Sequence, residues 1–456
     1  TDKPDSFRDM RLRVRPEIKI NDKLSLIMRF DALEKLLSSN DSAIVAQNDA
    51  ENIDFDRAYM RIISPIGLFM IGRQEGITWG TPFADDEADT DRIKYILPVP
   101  MGDNKLYIAA VAEKVSEVDK GYEESSKDND KYYLSGTYVA DKYRAGMLVG
   151  FYDFNTFQDP SQAKATKDFN AALATYEAAI TKAETATYAG AYALSGGNTA
   201  TAEGARDAEI TAAEAAFGAA TASSMSTFGT LGQTCSGEVI LLTPYFTGKF
   251  GPLGITTELD YVTGTIEFDT AAEDKDVTAY AFMFETTFDV GPVTFQAGFA
   301  TSSGDSDQSD NDIECMGYIA PGVDWEKLFI MFTDYHGMNT TLGGVKGNYV
   351  GDGFATYNDT MVDGYQVIYV GADYKLNEKI SIAGIVATLK ADDTDANVDD
   401  DQGVEVDVTL KWKLMDNLEY TATTAYLMAG DYFKTNNNTT DPEDTLALYH
   451  KLELTF

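Results

Sequence analysis

Strict alternation of apolar and polar residues is the feature that most constrains this chain. Leu12, Val14, Ile18 and Ile20 alternate with charged residues along the first such segment. A period of two residues is the signature of a β-strand with one apolar and one polar face. The same pattern recurs up to the final segment, 444–456. The sequence therefore predicts an all-β protein.

Short turns and long polar connections alternate along the chain, and this order indicates how the strands are joined. Short turns such as 64–67 and 289–292 are followed by long polar segments such as 75–90 and 302–362. In an antiparallel sheet, this order places every long connection at the same end. An additional strand at 10–20 precedes sixteen predicted strands: 24–33, 53–63, 68–74, 91–99, 105–114, 132–139, 143–153, 238–250, 254–264, 276–288, 293–302, 363–374, 379–389, 403–413, 418–428 and 444–456.

The apolar face of so large a sheet must be covered. In a soluble protein a second layer would cover it, but the chain offers no comparable set of helices and no second sheet. A closed barrel in lipid meets hydrocarbon with its apolar face and water with its polar face. Strands of about ten residues suit a tilted crossing of the bilayer. We therefore predict a single transmembrane antiparallel β-barrel of sixteen strands over 1–456.

Charge and composition argue against several partners and activities. The chain has 36 Lys and Arg against 74 Asp and Glu, a net charge of −38, which excludes a nucleic-acid partner because a phosphate backbone requires a basic face. Neither His336 nor His450 has a neighbouring Ser/Asp constellation in the sequence, so we expect no enzyme. We expect no cofactor, while loose Ca²⁺ or Mg²⁺ bridging at acidic extracellular loops stays open.

Two stretches carry a resemblance to a known family. The chain ends in an alternating strand, 446–456, whose last residue is Phe456; in addition, 55–59, 64–67 and 71–74 are similar to the second and third strands of porins. In these features the chain resembles the general porin family of the Gram-negative outer membrane. The resemblance implies an integral outer-membrane protein that passes small hydrophilic solutes and ions by passive diffusion. It also implies a homotrimer in contact with lipid and lipopolysaccharide.

The resemblance further implies a constriction inside the barrel. General porins fold the loop after the fifth strand inward, and here that loop is 115–131, with the acidic residues Glu117, Asp119, Glu123 and Glu124. Basic residues concentrate in the early strands, where we expect them on the inner face as a basic wall: Arg11, Arg13, Arg15, Arg29, Arg57, Arg61, Arg73 and Arg92. Arginine is always charged and poorly tolerated in lipid. Facing the acidic loop, this wall would set a transverse field across the lumen.

A second interpretation of the arginines is also open. They could instead solvate the wall or pair with the nearby Asp31, Asp54 and Asp56.

Segment 154–237 interrupts the strand pattern and lies outside the porin resemblance. It is rich in alanine, and Phe169, Leu173, Tyr176 and Ile180 recur at helical spacing. A second such stretch follows, which predicts an extracellular α-helical hairpin inserted between two strands.

The two cysteines both fall in long connections on the extracellular side of the predicted topology. Because that side is oxidising, we predict a disulfide between Cys235 and Cys315.

Two other functions remain open at this point. A substrate-selective channel of eighteen strands would use part of 302–362, notably 328–335, as an additional strand pair. Alternatively, the barrel is a surface adhesin or structural protein that displays the helical hairpin.

Overall fold

The computed structural model describes most of the chain, and the account below is confined to these residues. They are 8–36, 53–76, 78–83, 89–116, 128–156, 176, 179–194, 198–228, 234–268, 274–305, 310–316, 325, 327–332, 363–394, 399–434 and 444–456.

The described strands form one large sheet of nineteen members. The strands are β1 (Asp9–Val14), β2 (Glu17–Asn21), β3 (Leu24–Leu36), β4 (Asp54–Ser64), β5 (Gly67–Glu75), β6 (Asp89–Met101), β7 (Asn104–Ser116), β8 (Asn129–Val139), β9 (Tyr143–Thr156), β10 (Thr234–Phe250), β11 (Leu253–Phe268), β12 (Lys275–Val290), β13 (Val293–Ser302), β14 (Asp312–Ile313), β15 (Tyr365–Lys375), β16 (Ile380–Lys390), β17 (Asp401–Met415), β18 (Leu418–Ala429) and β19 (Thr445–Leu454).

The long strands pair antiparallel in chain order. This order runs from β3 to β13, continues from β13 to β15, and ends at β19. β1 and β2 both pair with β3, and the two-residue β14 lies parallel to β12. Glycine allows several of the tight turns, since Gly102, Gly251 and Gly291 have φ of +65°, +63° and +58°, a region that other residues rarely adopt.

The predicted all-β character is confirmed. Each of the sixteen predicted strand segments coincides with one long strand of the sheet. The predicted strand 10–20 is divided into β1 and β2 at Arg15 and Pro16, where proline offers no backbone N–H for pairing.

The two faces of the sheet differ as the alternation predicts. The outer face is defined here by large apolar side chains such as Ile93, Leu134, Ile368, Val370 and Leu448, which are between 53% and 73% exposed. The inner face alternates with it and carries buried polar side chains that include Arg57, Asp260 and Glu405. It also carries buried aliphatic residues such as Val262 and Val367, so it is not polar throughout.

The described helices, between residues 176 and 228, belong to a second compact unit of the chain. Its described part contains a π-helical turn (Ala183–Thr187), α1 (Tyr188–Leu194) and α2 (Thr199–Phe228). α2 begins where the Asn198 side chain accepts a hydrogen bond from the Thr201 N–H at 3.3 Å. Helices therefore form where the alanine-rich spacing predicted them, whereas Phe169 and Leu173 lie outside the described residues.

Polar contacts between segments of this helical unit centre on Glu209 of α2. Its carboxylate accepts hydrogen bonds from the Lys182 ammonium at 2.6 Å and from the Thr187 hydroxyl. These hydrogen bonds lower the pKa of Glu209 below its usual value. No helix within the described part of the chain is both long and apolar enough to cross a bilayer.

Candidate functional site

Two arginines of the predicted basic wall lie side by side on the inner face. Arg29 of β3 and Arg57 of β4 are direct cross-strand neighbours, and carboxylates balance their charges. Arg29 is 2.8 Å from Asp56 and 2.5 Å from Asp89. Arg57 contacts Asp89 as well and lies 2.7 Å from Glu75. Both arginines are therefore buried within an ion-pair network instead of standing free in the lumen.

The pairing of β3 with β4 shifts by one residue beside Arg29. This bulge makes Asp56 an extra residue on β4, and a bulge re-aims side chains in this way. Of the acidic partners that the sequence suggested, Asp56 pairs with Arg29 and Asp31 pairs with Arg13 at 2.7 Å. The side chain of Asp54 lies outside the described set.

Other members of the predicted wall are also paired. Arg92 contacts Glu113 on the neighbouring strand β7, and both side chains are buried. The remaining inner-face pairs are Arg61 with Glu17 at 2.5 Å and Arg11 with Asp31 at 3.7 Å. Arg15 is exposed at the break between β1 and β2.

Arg73 lies on the outer face and not with the basic wall. It pairs in register with Ala58 and Asp91, and it shares its side of β5 with Ile71. The Arg73 side chain is 49% exposed and lies 3.6 Å from Asp91. Position along the strand explains this placement: Arg73 stands near the end of β5, where a long side chain reaches the interfacial layer.

The predicted acidic loop cannot be compared with the structure, since Glu117, Asp119, Glu123 and Glu124 lie outside the described residues. The inward fold of 115–131 stays a prediction. Besides Asp31 and Glu113, which pair with arginines, buried inner-face carboxylates come from later strands: Glu258 and Asp260 on β11, and Glu405 and Asp407 on β17.

Residues 78–83, here the Trp79 segment, pack onto the inner face of β10 and β11. The Trp79 indole N–H donates to the Thr243 carbonyl at 3.0 Å, and the ring contacts Tyr245 edge-on with centroids 5.3 Å apart. The Thr81 N–H donates to the Glu258 carboxylate at 2.6 Å. The Trp79 side chain and the Thr81 backbone together hold the Trp79 segment against the inner face.

Gly80 makes this close approach possible. Its φ is +71°, and a methyl group at its Cα would overlap the Glu258 carboxylate and approach the Tyr245 ring. A side chain would thus be both strained and obstructed there.

Residues 325–332, here the Trp325 segment, are held by carboxylates of β17. The Phe329 N–H donates to Asp407 at 2.8 Å, and the N–H groups of Ile330 and Met331 donate to Glu405 at 2.6 and 3.1 Å. Three consecutive backbone N–H groups thus donate to two carboxyl groups. Without these acceptors, the buried N–H groups would be unsatisfied and would destabilise the segment.

Side chains of the Trp325 segment reach several other strands. Lys327 contacts Glu285 of β12, and the Phe329 ring lies 5.2 Å from that of Tyr449 on β19. The described residues 327–332 form turns, so they do not supply the strand pair of the eighteen-strand alternative.

The two segments meet over the inner face. The rings of Phe83 and Trp325 are perpendicular, with centroids 5.4 Å apart, and Trp325 also contacts Phe332 and Tyr369. The joined segments therefore extend from β10 and β11 to β17 and β19. Since strands so far apart in the sheet touch one short assembly, the inner face is concave around it.

Sequence reasoning missed these segments because it placed the constriction in 115–131. A signal was available: Trp79 and Trp325 are two of only three tryptophans and lie in long polar connections, where an unpartnered indole is costly to expose.

A cavity of about 350 Å³ lies beside the Trp79 segment on the inner face. Strands β6 to β11 line it, with Trp79 and aromatic residues such as Tyr107, Tyr133 and Tyr152. Charged lining residues include Lys94 and Asp260. A cavity of this size and mixed character suits a small organic molecule.

The predicted disulfide finds no support in the described residues, and cation bridging at the acidic loops stays open. Cys315 is buried, the side chain of Cys235 lies outside the described set, and no disulfide is present among the described side chains; the pairing stays a prediction. Within the same residues, no group of three or more acidic, histidine or cysteine side chains is arranged to hold a metal. Near Cys315, burial and the carboxylates of Asp312, Asp310 and Asp393 raise the pKa of Glu314.

The outer face has the character of a membrane-embedded surface. Its exposed apolar side chains belong to an antiparallel sheet whose backbone groups are paired between neighbouring strands. Such a surface is costly in water and favourable in hydrocarbon.

Comparisons with known proteins yield structural likeness alone. No protein-family model matches the chain, and no curated protein matches its sequence. A BenF-like porin from Pseudomonas fluorescens Pf-5 is 9% identical with a TM-score of 0.45, over 98% of this chain and 92% of that one. The outer membrane protein opdK from Pseudomonas aeruginosa is 11% identical with a TM-score of 0.44, over 97% and 92%. OmpT, an outer membrane protein of Vibrio cholerae, is 8% identical with a TM-score of 0.37, over 84% and 79%.

Proposed function

We propose that this chain is a channel of the bacterial outer membrane, formed by a closed barrel of sixteen transmembrane strands with a narrowed lumen. Small hydrophilic solutes and ions cross it passively and selectively. The observation that carries the proposal is the meeting of the Trp79 and Trp325 segments over the inner face. Together they contact strands from β10 to β19 and leave a cavity beside them, which favours a selective path over an open general pore.

Closure of the barrel is part of the proposal. β19 and the N-terminal strands β1 and β2 stand at the two ends of the chain-ordered pairing. An open edge in lipid would leave backbone N–H and C=O groups unsatisfied. Closure of these ends against each other removes that cost. A closed barrel shifts in apparent mass between unheated and heated samples in denaturing gels, whereas an open sheet does not.

Planar-bilayer recording tests the channel itself. We expect discrete ohmic steps from the purified protein, and liposome-swelling rates that fall steeply with solute size. Deletion of 325–332 should raise the step size and admit larger solutes. A protein that inserts, shifts on heating and never conducts would refute the proposal.

A second candidate function is that of a surface adhesin that displays the helical unit. The separate helical unit favours it, because a channel has no need of 157–233. Deletion of 160–230 should leave conductance unchanged in a channel and abolish cell adhesion in an adhesin.

Oligomer and lipid partners follow from the porin resemblance. We propose a homotrimer with lipopolysaccharide at its rim. Mass photometry in detergent tests the trimer. A particle mass of about three times the chain mass of 49.8 kDa, plus the bound detergent, would support it.

A further inference from the structure

The cavity beside the Trp79 segment is lined by both acidic and basic side chains. Its carboxylates are withdrawn from solvent, since Glu258 is 1% exposed and Asp260 is 3% exposed. Glu258 also accepts a hydrogen bond from the Thr81 N–H at 2.6 Å. Among the basic residues, Arg92 is buried and its charge is balanced by Glu113. These side chains therefore present little unbalanced charge to the space of the cavity.

Two further basic residues of the lining, Lys94 and Arg144, are accessible. Arg144 is exposed and Lys94 is half-buried, and within the described residues neither forms an ion pair with a carboxylate. The pairing of β6 to β9 places Lys94 level with Gly150. Arg144 lies six residues from Gly150 along β9, which is about 20 Å at the usual rise of a strand. The two cations are therefore separate positions along the wall, too far apart for one small ion to contact both.

The inner wall of β7 to β9 is uncharged between these two positions. Ala109, Ser135 and Leu148 line it, and strand pairing sets them between the levels of Lys94 and Arg144. Such a wall leaves the field of each cation unopposed along the cavity. An anion that leaves one cation can therefore reach the other without passing an exposed carboxylate on these strands.

The carboxylates on the far side of the inner face are engaged by the Trp325 segment. Glu405 and Asp407 accept its backbone N–H groups, and Glu285 pairs with Lys327. These acidic groups are therefore covered. Beside them, the accessible charges of the cavity are the cations on β6 and β9.

We propose that the cavity makes the channel selective for small anions over cations, although the whole chain has a net charge of −38. Lys94 and Arg144 act as two successive contact positions for the anion. Exposed carboxylates such as those of 399–401 stand instead at the end of the sheet with the long connections. The inference rests on the proposed function, because it names the class of ion that the proposed channel admits.

The reversal potential of the full chain in a planar bilayer under a KCl gradient tests this selectivity. A unit positive charge within about 4 Å favours an anion over a cation by at least about fivefold, even in bulk water. We therefore expect chloride to permeate at least about fivefold more readily than potassium. A permeability ratio of chloride to potassium at or below one would overturn the inference.

Variants assign the preference to the two cations. K94Q and R144Q should each lower the ratio, and the double variant should bring it to about one or below, since both contact positions then lack their charge. R73Q removes the same charge from the outer face and should leave the ratio unchanged. A double variant that keeps the wild-type ratio would overturn the inference.

The wild-type ratio and R144Q decide even if K94Q does not fold, because Arg144 is exposed and the heat-induced gel shift reports folding. In that case R144Q with the wild-type ratio would overturn the assignment. Failure of the selectivity is distinguishable from failure of the channel. Discrete steps without a preference for chloride would discard the selectivity alone, whereas an inserted, folded protein that never conducts would refute the channel and this inference with it.

Discussion

Replacement of Glu405 by alanine is the sharpest test of the narrowed lumen. Glu405 is fully buried and accepts the Ile330 and Met331 N–H groups at 2.6 and 3.1 Å. In E405A both donors lose their acceptor, while the Phe329 N–H keeps its bond to Asp407. The Trp325 segment would then be held at one carboxylate instead of two.

The expected loss is large relative to the binding of so short a segment. Two hydrogen bonds between neutral groups contribute roughly 1 to 3 kcal/mol. The upper figure multiplies the detached population by about a hundredfold. We therefore expect the segment to leave the inner face often enough to change the current through the channel.

Single-channel recording at fixed salt is the assay. E405A should show a larger mean step and repeated transitions between two levels, and E405Q, which keeps an acceptor oxygen, should lie between E405A and wild type. E378A serves as the matched control because Glu378 is exposed in a short turn. If E405A retains the heat-induced gel shift and its steps and noise equal those of wild type, the Trp325 segment does not narrow the lumen.

Three further predictions concern the ion-pair network, the helical unit and the cysteines. R57A should destabilise the sheet by about 3 kcal/mol, because removal of one partner leaves buried charge uncompensated, and should move the reversal potential toward cations. R73A, whose pair is exposed on the outer face, should change neither the urea midpoint nor the reversal potential. The pKa of Glu209 is lower in the folded protein than its usual value of 4.5, so the stability that Glu209 contributes is present above pH 4.5 and is lost as the pH falls through the folded pKa. Circular dichroism should show an acid-induced loss of helix that E209Q lacks. Identical titrations of the two proteins would contradict this. Non-reducing peptide mapping should recover a Cys235–Cys315 linked peptide, and full alkylation of both thiols without reductant would disprove the disulfide.

Strands and faces could be predicted because they depend on residues close together in the chain. The alternation of apolar and polar residues around Val404 and Leu410 predicts a strand without any knowledge of the strands beside it. The paired strand observed there agrees with this pattern. Arg73 shows where this local reasoning fails. Charge alone argued for the inner face, but its place near a strand end allows it to face outward.

Periods of two and of 3.6 residues are local properties, so the order of the amino acids is enough to predict the strand segments, the apolar outer surface and the helical insertion. Which connections lie over the inner face depends on the folded sheet. Trp79 and its acceptor Thr243 are 164 residues apart, and Thr81 and Glu258 are 177 apart. Contacts at such separations depend on the curvature of the whole sheet, which no local pattern encodes.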